Sequence, residues 1–316
     1  MTAPAAQGAT ERPSLWRNRE FVALWSGQVV STLGAQISGT AMPLLVLVTT
    51  GSPSAAGIVG AAGTLPFLIA HLPAGPLVDR WNRRKILLIS QLVAGLALST
   101  VPIALWLGVL TVTQLTIVAF VQGLCSVFFG LAERAALPMI VPAALLPTAV
   151  AQNEARSRGA ALAGPPLGGL LFGIDRAVPF LADALSYVIA SIGLLFIRSD
   201  LQNPTKTPAE PLWQATTAGL RWIWRHPLIR AAMLLIAVSN LVFQALTLIL
   251  VVLAQRQGAS SATIGMMLGI YSGGGLIGAL AASRLHRRFT PKPSSSESTG
   301  SGLRYCPCSH SRPALW

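Results

Sequence analysis

Charge is the scarcest property of this chain. Asp, Glu, Lys and Arg make up 10% of its 316 residues, against about 25% in an average soluble domain. Phe21 to Val78 runs 58 residues without one of them, and Ile86 to Ala132 another 47. With 53% hydrophobic residues, this composition excludes a disordered chain and overfills a single soluble core of this length. Three cysteines are too few for a disulfide scaffold. His71, His226, His286 and His310 have no nucleophile or acid at useful spacing, and no phosphate-cradling loop for ATP is present. These absences point away from an enzyme. Residues 1–20 are polar and hold no short apolar core of a signal peptide.

What is present is a series of apolar runs. A membrane helix needs about 20 residues, so each of the two longest runs is a pair of spans. The first pair folds back at Gly51-Ser52-Pro53-Ser54 and the second between Gly108 and Thr113. A fifth span is expected from Thr148 to Gly173, a sixth from Val178 to Ile197, and two more over Ala231–Gln255 and Gln257–Ser283. The count is eight. Continuous apolar runs do not suit barrel strands, which alternate apolar and polar residues. Ala135 to Pro147, with Pro138, Pro142 and Pro147, is not expected to form a straight helix.

The net charge of +13 follows from topology. Sorted by loop, 21 of the 23 basic residues fall on one side and only Arg176 and Arg256 on the other. Cytoplasmic loops carry such an excess, so both termini are placed in the cytoplasm, with the chain in the plasma membrane and no nucleic-acid partner. The organisation is then a cytoplasmic N-terminus (1–19), a six-span half (20–198), a cytoplasmic linker (199–229), a partial second half of two spans (230–288) and a disordered tail (289–316). Within the linker, 203–208 reads as coil. Trp213 to Arg225 reads as an interfacial helix that turns Trp213, Leu220, Ile223 and Trp224 toward lipid. Outer loops of a few residues make consecutive helices antiparallel neighbours.

Two motifs carry the sharper information. Gly75-Pro76-Leu77-Val78-Asp79-Arg80-Trp81-Asn82-Arg83-Arg84-Lys85 follows the second span. Gly75 would let another helix approach, Asp79 would face a helix N-terminus, and the basic cluster would hold headgroups or an acid. Gly164-Pro165-Pro166-Leu167-Gly168-Gly169 lies in the fifth span, where Gly164 and Gly168 share a smooth face and the prolines free backbone groups. The first segment resembles motif A of the major facilitator superfamily, with Asn82 in place of its second glycine, a residue that tolerates a left-handed turn. The second resembles the antiporter motif C, with Ala160 at its first glycine. Within the superfamily, Glu133–Pro138, Asp183–Tyr187 and Gly219–Pro227 are similar to the macrolide-efflux type of drug:proton antiporter, and the likeness runs from Leu15 to Arg288. It implies an all-α bundle of two six-helix halves rocking around a central site, driven by a proton gradient without a cofactor. Motif A would be a cytoplasmic latch and motif C a hinge. It also implies a lipophilic small-molecule substrate, protons and membrane lipids as partners, and a monomer.

An internal repeat supports this reading. Asp79-Arg80-x-x-Arg83-Arg84 recurs as Ser283-Arg284-x-x-Arg287-Arg288, 204 residues later, as if the seventh and eighth spans opened a second copy of the first six. Such an offset calls for twelve spans, so the alternative expectation is a truncated, transport-incompetent fragment with an out-of-frame tail. A third reading, an intact eight-span scaffold or enzyme, lacks a catalytic cluster.

Polar residues inside the spans nominate a pathway. Gln28, Thr32, Gln36 and Thr40 step by four in the first span, Gln122 and Ser126 in the fourth, and Asn240, Gln244 and Thr247 line the seventh. Helix–helix hydrogen bonds account for any one of them; together they suggest a water-filled path in which a cysteine at Gln36 is labelled and one at Leu45 is not. Asp183 is the one acid well inside an apolar run and is the proton-coupling candidate, although solvent or Arg176 could satisfy it. Glu133, Arg134 and Glu154 are the candidate latch partners. The resemblance favours Glu133 as the acid that pairs with the motif A arginine. Cys306-Pro307-Cys308 with His310 reads as a chance grouping, so no metal site is expected, and Cys125 as a small packing residue.

Overall fold

The computed structural model describes residues 15–197, 199, 201 and 212–274, all within one compact unit. The coil expected over 203–208, the repeat at Ser283–Arg288, the tail and its Cys306, Cys308 and His310 lie outside the described residues. Among those described, every regular element is helical. In chain order they are α1 (Arg19–Thr50), α2 (Pro53–Ile69), α3 (His71–Arg80), α4 (Arg83–Leu107), α5 (Val112–Ile140), α6 (Leu146–Ile174), α7 (Val178–Leu195), α8 (Leu212–Arg225), α9 (Pro227–Arg256) and α10 (261–274).

Local chemistry sets the ends. The Asn18 side chain accepts from the backbone N–H groups of Glu20 and Phe21, and its Nδ2 donates to the Ile140 carbonyl at 2.8 Å, tying the start of α1 to the end of α5. Gly51 closes α1 at φ 64°, and Ser52 with Pro53 then opens α2. Gly108 (φ 68°) and Thr111 play the same parts between α4 and α5.

By length and apolarity, α1, α4, α5, α7 and α9 can each cross a membrane. α2 and α3 are a broken pair bent by 65°, which makes a sixth crossing if taken as one. The bend falls between Pro66 and Pro73, each of which withholds a backbone donor. α6 falls short of the same criterion because Gln152 to Arg158 interrupt it with polar side chains, and α10 is described only to residue 274. Ala135–Ile140 corrects the sequence-based expectation: α5 runs through Pro138. One proline near the end of a helix costs little, because few turns remain to be disrupted.

Neighbour relations also depart from chain order. The extensive interfaces are those of α1 with α7 and α6, α2 with α5, and α4 with α5 and α7, while α1–α2 and α6–α7 meet less. Of the helices joined by short loops, α4 and α5 pack along each other, whereas α1 and α2, and α6 and α7, diverge. Two apolar clusters fill the bundle. One joins Leu44, Leu45, Val59, Leu98, Leu115, Phe180 and Ile264. The other joins Phe21, Leu24, Leu87, Leu137, Leu194 and Ile197 near the α1 N-terminus. Gln28, Ser31, Ser38, Ser90, Gln91, Asp183, Ser186 and Ser191 are buried polar side chains on α1, α4 and α7.

Candidate functional site

The motif C helix carries bare backbone on two faces. On one, Gly164 and Gly168 lie against α1: a Cβ at Gly164 would stand 2.3 Å from the Cβ of Gln36, and one at Gly168 2.7 Å from the Ile37 carbonyl oxygen. On the other, a Cβ at Gly169 would meet the Ser261 carbonyl oxygen at 2.3 Å and Gly265 Cα at 2.8 Å. α10 answers with a glycine series of its own. A Cβ at Gly265 would stand 2.5 Å from the Pro165 carbonyl oxygen, one at Gly269 2.4 Å from Pro166 Cγ, and one at Gly273 3.2 Å from Leu162. Without side chains, two helices come within backbone contact and gain dispersion along their length. Gly265-x-x-x-Gly269-x-x-x-Gly273 was legible as a small-residue repeat but was not singled out from the sequence. Its partner became visible only once the helices were packed.

A second close seam joins α1 to α7. A Cβ at Gly27 would stand 3.2 Å from Ala190 Cα, and one at Gly34 would overlap Ser186 Oγ and Asp183 Oδ1, at 2.4 and 2.6 Å. Gly34 thus makes the space that Asp183 fills. Ser38 donates to Asp183 Oδ2 at 2.5 Å, and Ser186 donates to Oδ1 at 3.1 Å. Asp183 has no accessible surface, so the expectation of solvation or a partnership with Arg176 is corrected. The helix rotation that faces it toward Gly34 removes it from both.

The pathway residues divide. Gln28 is buried and its Nε2 has no hydrogen-bond partner among the described residues; Gln122 Nε2 is likewise buried and unpartnered among them. Thr32 donates to the Gln28 carbonyl at 2.6 Å and Thr40 to that of Gln36 at 3.0 Å, so both hydroxyls are used by their own helix. Gln36 is half-buried, with its Cβ beside Gly164, because a four-residue step drifts around the helix and carries the stripe toward the α6 seam. Asn240 and Gln244 on α9 are exposed. Ala35 and Gly39 are the exposed positions of that part of α1. Cysteines there are expected to react with a polar thiol reagent, a cysteine at Gln36 more slowly, and one at Leu45 to be protected. Labelling Gln36 as fast as Gly39 would contradict the seam.

Motif A rearranges the expected pairings. Arg83, not Asp79, is the buried member, at 7% exposed; its Nη1 donates to the carbonyls of Ala135 (3.1 Å) and Leu201 (3.3 Å), and its Nη2 reaches Asp79 at 3.4 Å. Asp79 is open to solvent, so this contact contributes little. Arg84 donates to the Leu195 carbonyl at the end of α7, where a cation suits the helix dipole. Arg80 is exposed on the last turn of α3. Asn82 is not in a left-handed turn: at φ −65° and ψ 110° it caps α4, its side chain accepting from Lys85 N–H. A Cβ on Gly75 would meet nothing within 4 Å among the described residues, so no close helix approach is seen there.

Glu133 does not pair with Arg83. It holds Arg156 in a two-pronged bridge at 2.9 and 3.3 Å, both side chains largely buried. Arg83 turns its Nη1 to carbonyls instead, and α6 brings Arg156 to the acid first. Glu154 pairs one turn along its own helix with Arg158, exposed, while Arg134 is exposed without an ion pair among the described residues. Glu133→Ala would strand Arg156, with an expected loss of about 3 kcal/mol. Thermal unfolding in detergent should show this, and Glu133→Leu with Arg156→Met should recover most of it.

These features define a class: a multi-pass helical membrane protein whose first block, α1 to α7, meets α10 on a glycine seam. Residues 13–294 match the family described as transmembrane secretion effector, and the chain belongs to that family of the major facilitator superfamily. It is 28% identical over 276 residues to multidrug efflux pump Tap of Mycolicibacterium fortuitum, covering 84% of this chain and 66% of that protein. It is 28% identical over 189 residues to macrolide efflux protein A of Streptococcus pyogenes, covering 60% and 46%. The fold is similar to that of a bacterial homologue of the human lysosomal transporter Spinster, crystallised inward-facing and unoccupied. The TM-score is 0.65 at 15% identity, over 90% of this chain and 64% of that one. The chain spans less than two thirds of the length of these three proteins.

Proposed function

We propose that this protein exports lipophilic, drug-like small molecules from the cell in exchange for protons, from the plasma membrane with its linker on the cytoplasmic side. The observation that carries this reading is the two-faced glycine seam of α6, which joins α1 on one side to α10 on the other. Where Gly169 meets Gly265 the seam is backbone on backbone, with no interlocking side chains to hold one register, which suits two blocks that tilt against each other. Gln28 and Gln122 serve the pathway, each with a buried amide donor left open for a substrate acceptor. Asn240 and Gln244, exposed on α9, extend the pathway in the second block. Asp183 carries the exchanged proton, and Arg83 and Arg84 hold the cytoplasmic ends of the helices.

The reading is tested by expressing the full chain in a host stripped of its own pumps and following a fluorescent macrolide or dye. Lower accumulation that a protonophore abolishes is the expected result. Accumulation equal to that of the empty host, with the protein present in the membrane, would sink it.

A further inference from the structure

We propose that the corner between α8 and α9 is a binding site for the phosphate headgroup of an anionic phospholipid. α8 ends with Arg221 and Arg225 one turn apart, and Arg230 follows in the first turn of α9. Arg221 and Arg225 are exposed and Arg230 half-buried. Among the described residues none of the three makes an ion pair; Arg230 instead lies over the Trp224 ring, 5.5 Å from its centroid. The sequence offers them no acid nearby: from residue 211 to 296 there is not one Asp or Glu. α3, which packs on α8, brings Asp79, but that carboxylate is already in contact with Arg83.

Three unneutralised guanidinium groups would attract any anion. The apolar surroundings select a lipid. Trp222 and Trp224 are more than half exposed and Leu228 is 82% exposed, and α9 enters its apolar run at this point. Tryptophans beside the first turn of a span mark the headgroup level, where a basic cluster faces the negative leaflet. His226 closes the corner, its ring tilted against Trp222 at 4.3 Å and its Nδ1 2.7 Å from the Trp222 carbonyl oxygen. Arginine suits the task because its fork takes two phosphate oxygens at once. An acidic protein segment would have to compete with lipid for a surface of this apolarity.

The test uses the full chain in a neutral detergent, titrated with a fluorescent phosphatidylglycerol and with the matching phosphatidylcholine. Near a membrane each basic residue contributes roughly a fivefold preference for anionic lipid, so three predict a preference on the order of a hundredfold, falling with salt. Arg221→Gln with Arg225→Gln and Arg230→Gln should abolish it, while Arg176→Gln with Arg256→Gln should not. The Lys versions of the three sites keep the charge and check that folding is intact; they should retain most of the preference. Equal binding of the two lipids by the native chain would overturn the proposal. So would full displacement of the lipid by inorganic phosphate or by a soluble acidic peptide, which would make the corner a site for those anions. Because lipid binding is read without transport, its failure leaves the export reading standing, and the reverse.

Discussion

Gly169→Ala is expected to remove transport while leaving α1 to α7 folded. The added methyl would begin 2.3 Å from the Ser261 carbonyl oxygen and 2.8 Å from Gly265 Cα. Both are backbone, so no side chain can rotate away, and α10 must back off by about 1 Å, at a cost of about 1–3 kcal/mol. That cost falls on the contact between blocks and not on the bundle interior, where α1, α4, α5 and α7 pack without it. The comparison is Gly159→Ala on the same helix, where a Cβ meets nothing within 4 Å and no effect is expected. Two readouts separate the cases: efflux in cells, and cross-linking of cysteines at Leu162 and Gly273 by a short bifunctional reagent. A Gly169→Ala protein with native efflux and native cross-linking would remove the seam from the mechanism.

Asp183→Asn is expected to uncouple transport. The amide has the shape of the carboxyl, and Ser38 can turn its hydroxyl to accept from the new NH2 group, so the α1–α7 seam should survive. What is lost is a group that can change charge inside a dry contact, where an ionisable side chain is rarely kept without a task. Uphill efflux against a gradient should fall by on the order of tenfold or more, while exchange of substrate down its gradient in vesicles persists. Asp183→Leu, in contrast, leaves Ser38 and Ser186 facing a hydrocarbon and should lower stability as well. An Asp183→Asn protein whose efflux keeps the native pH dependence rules Asp183 out as the coupling acid.

The sequence was most informative where the cause is local. Gly51, Ser52 and Pro53 announce a reversal because each answers a need of the one or two residues around it. Apolar runs announce spans for the same reason, and the amphipathic stretch before Pro227 announces α8. Pairings were less legible. Glu133 was matched by resemblance with the motif A arginine, and only the approach of α6 chose Arg156. Arg83 was expected to seek an acid, but burial beside Ala135 and Leu201 offers it carbonyls. Gln36 belonged to a plausible polar stripe until the drift of the helix set it against Gly164. In each case the deciding partner lies on another segment, between 23 and 128 residues away in the chain. Periodicity along one helix carries no record of it.

Glu20 accepts from the Ser199 backbone N–H and hydroxyl, and Arg83 holds the Leu201 carbonyl, with Ile197 and Leu201 both buried. The first residues after α7 therefore belong to the first block. Only ten residues separate Leu201 from Leu212, and a chain of that length reaches at most about 35 Å. So short a leash keeps the local concentration of α8 and the helices after it high. The contact between blocks then needs little affinity of its own, and a joint of bare glycine can be weak enough to slide without coming apart.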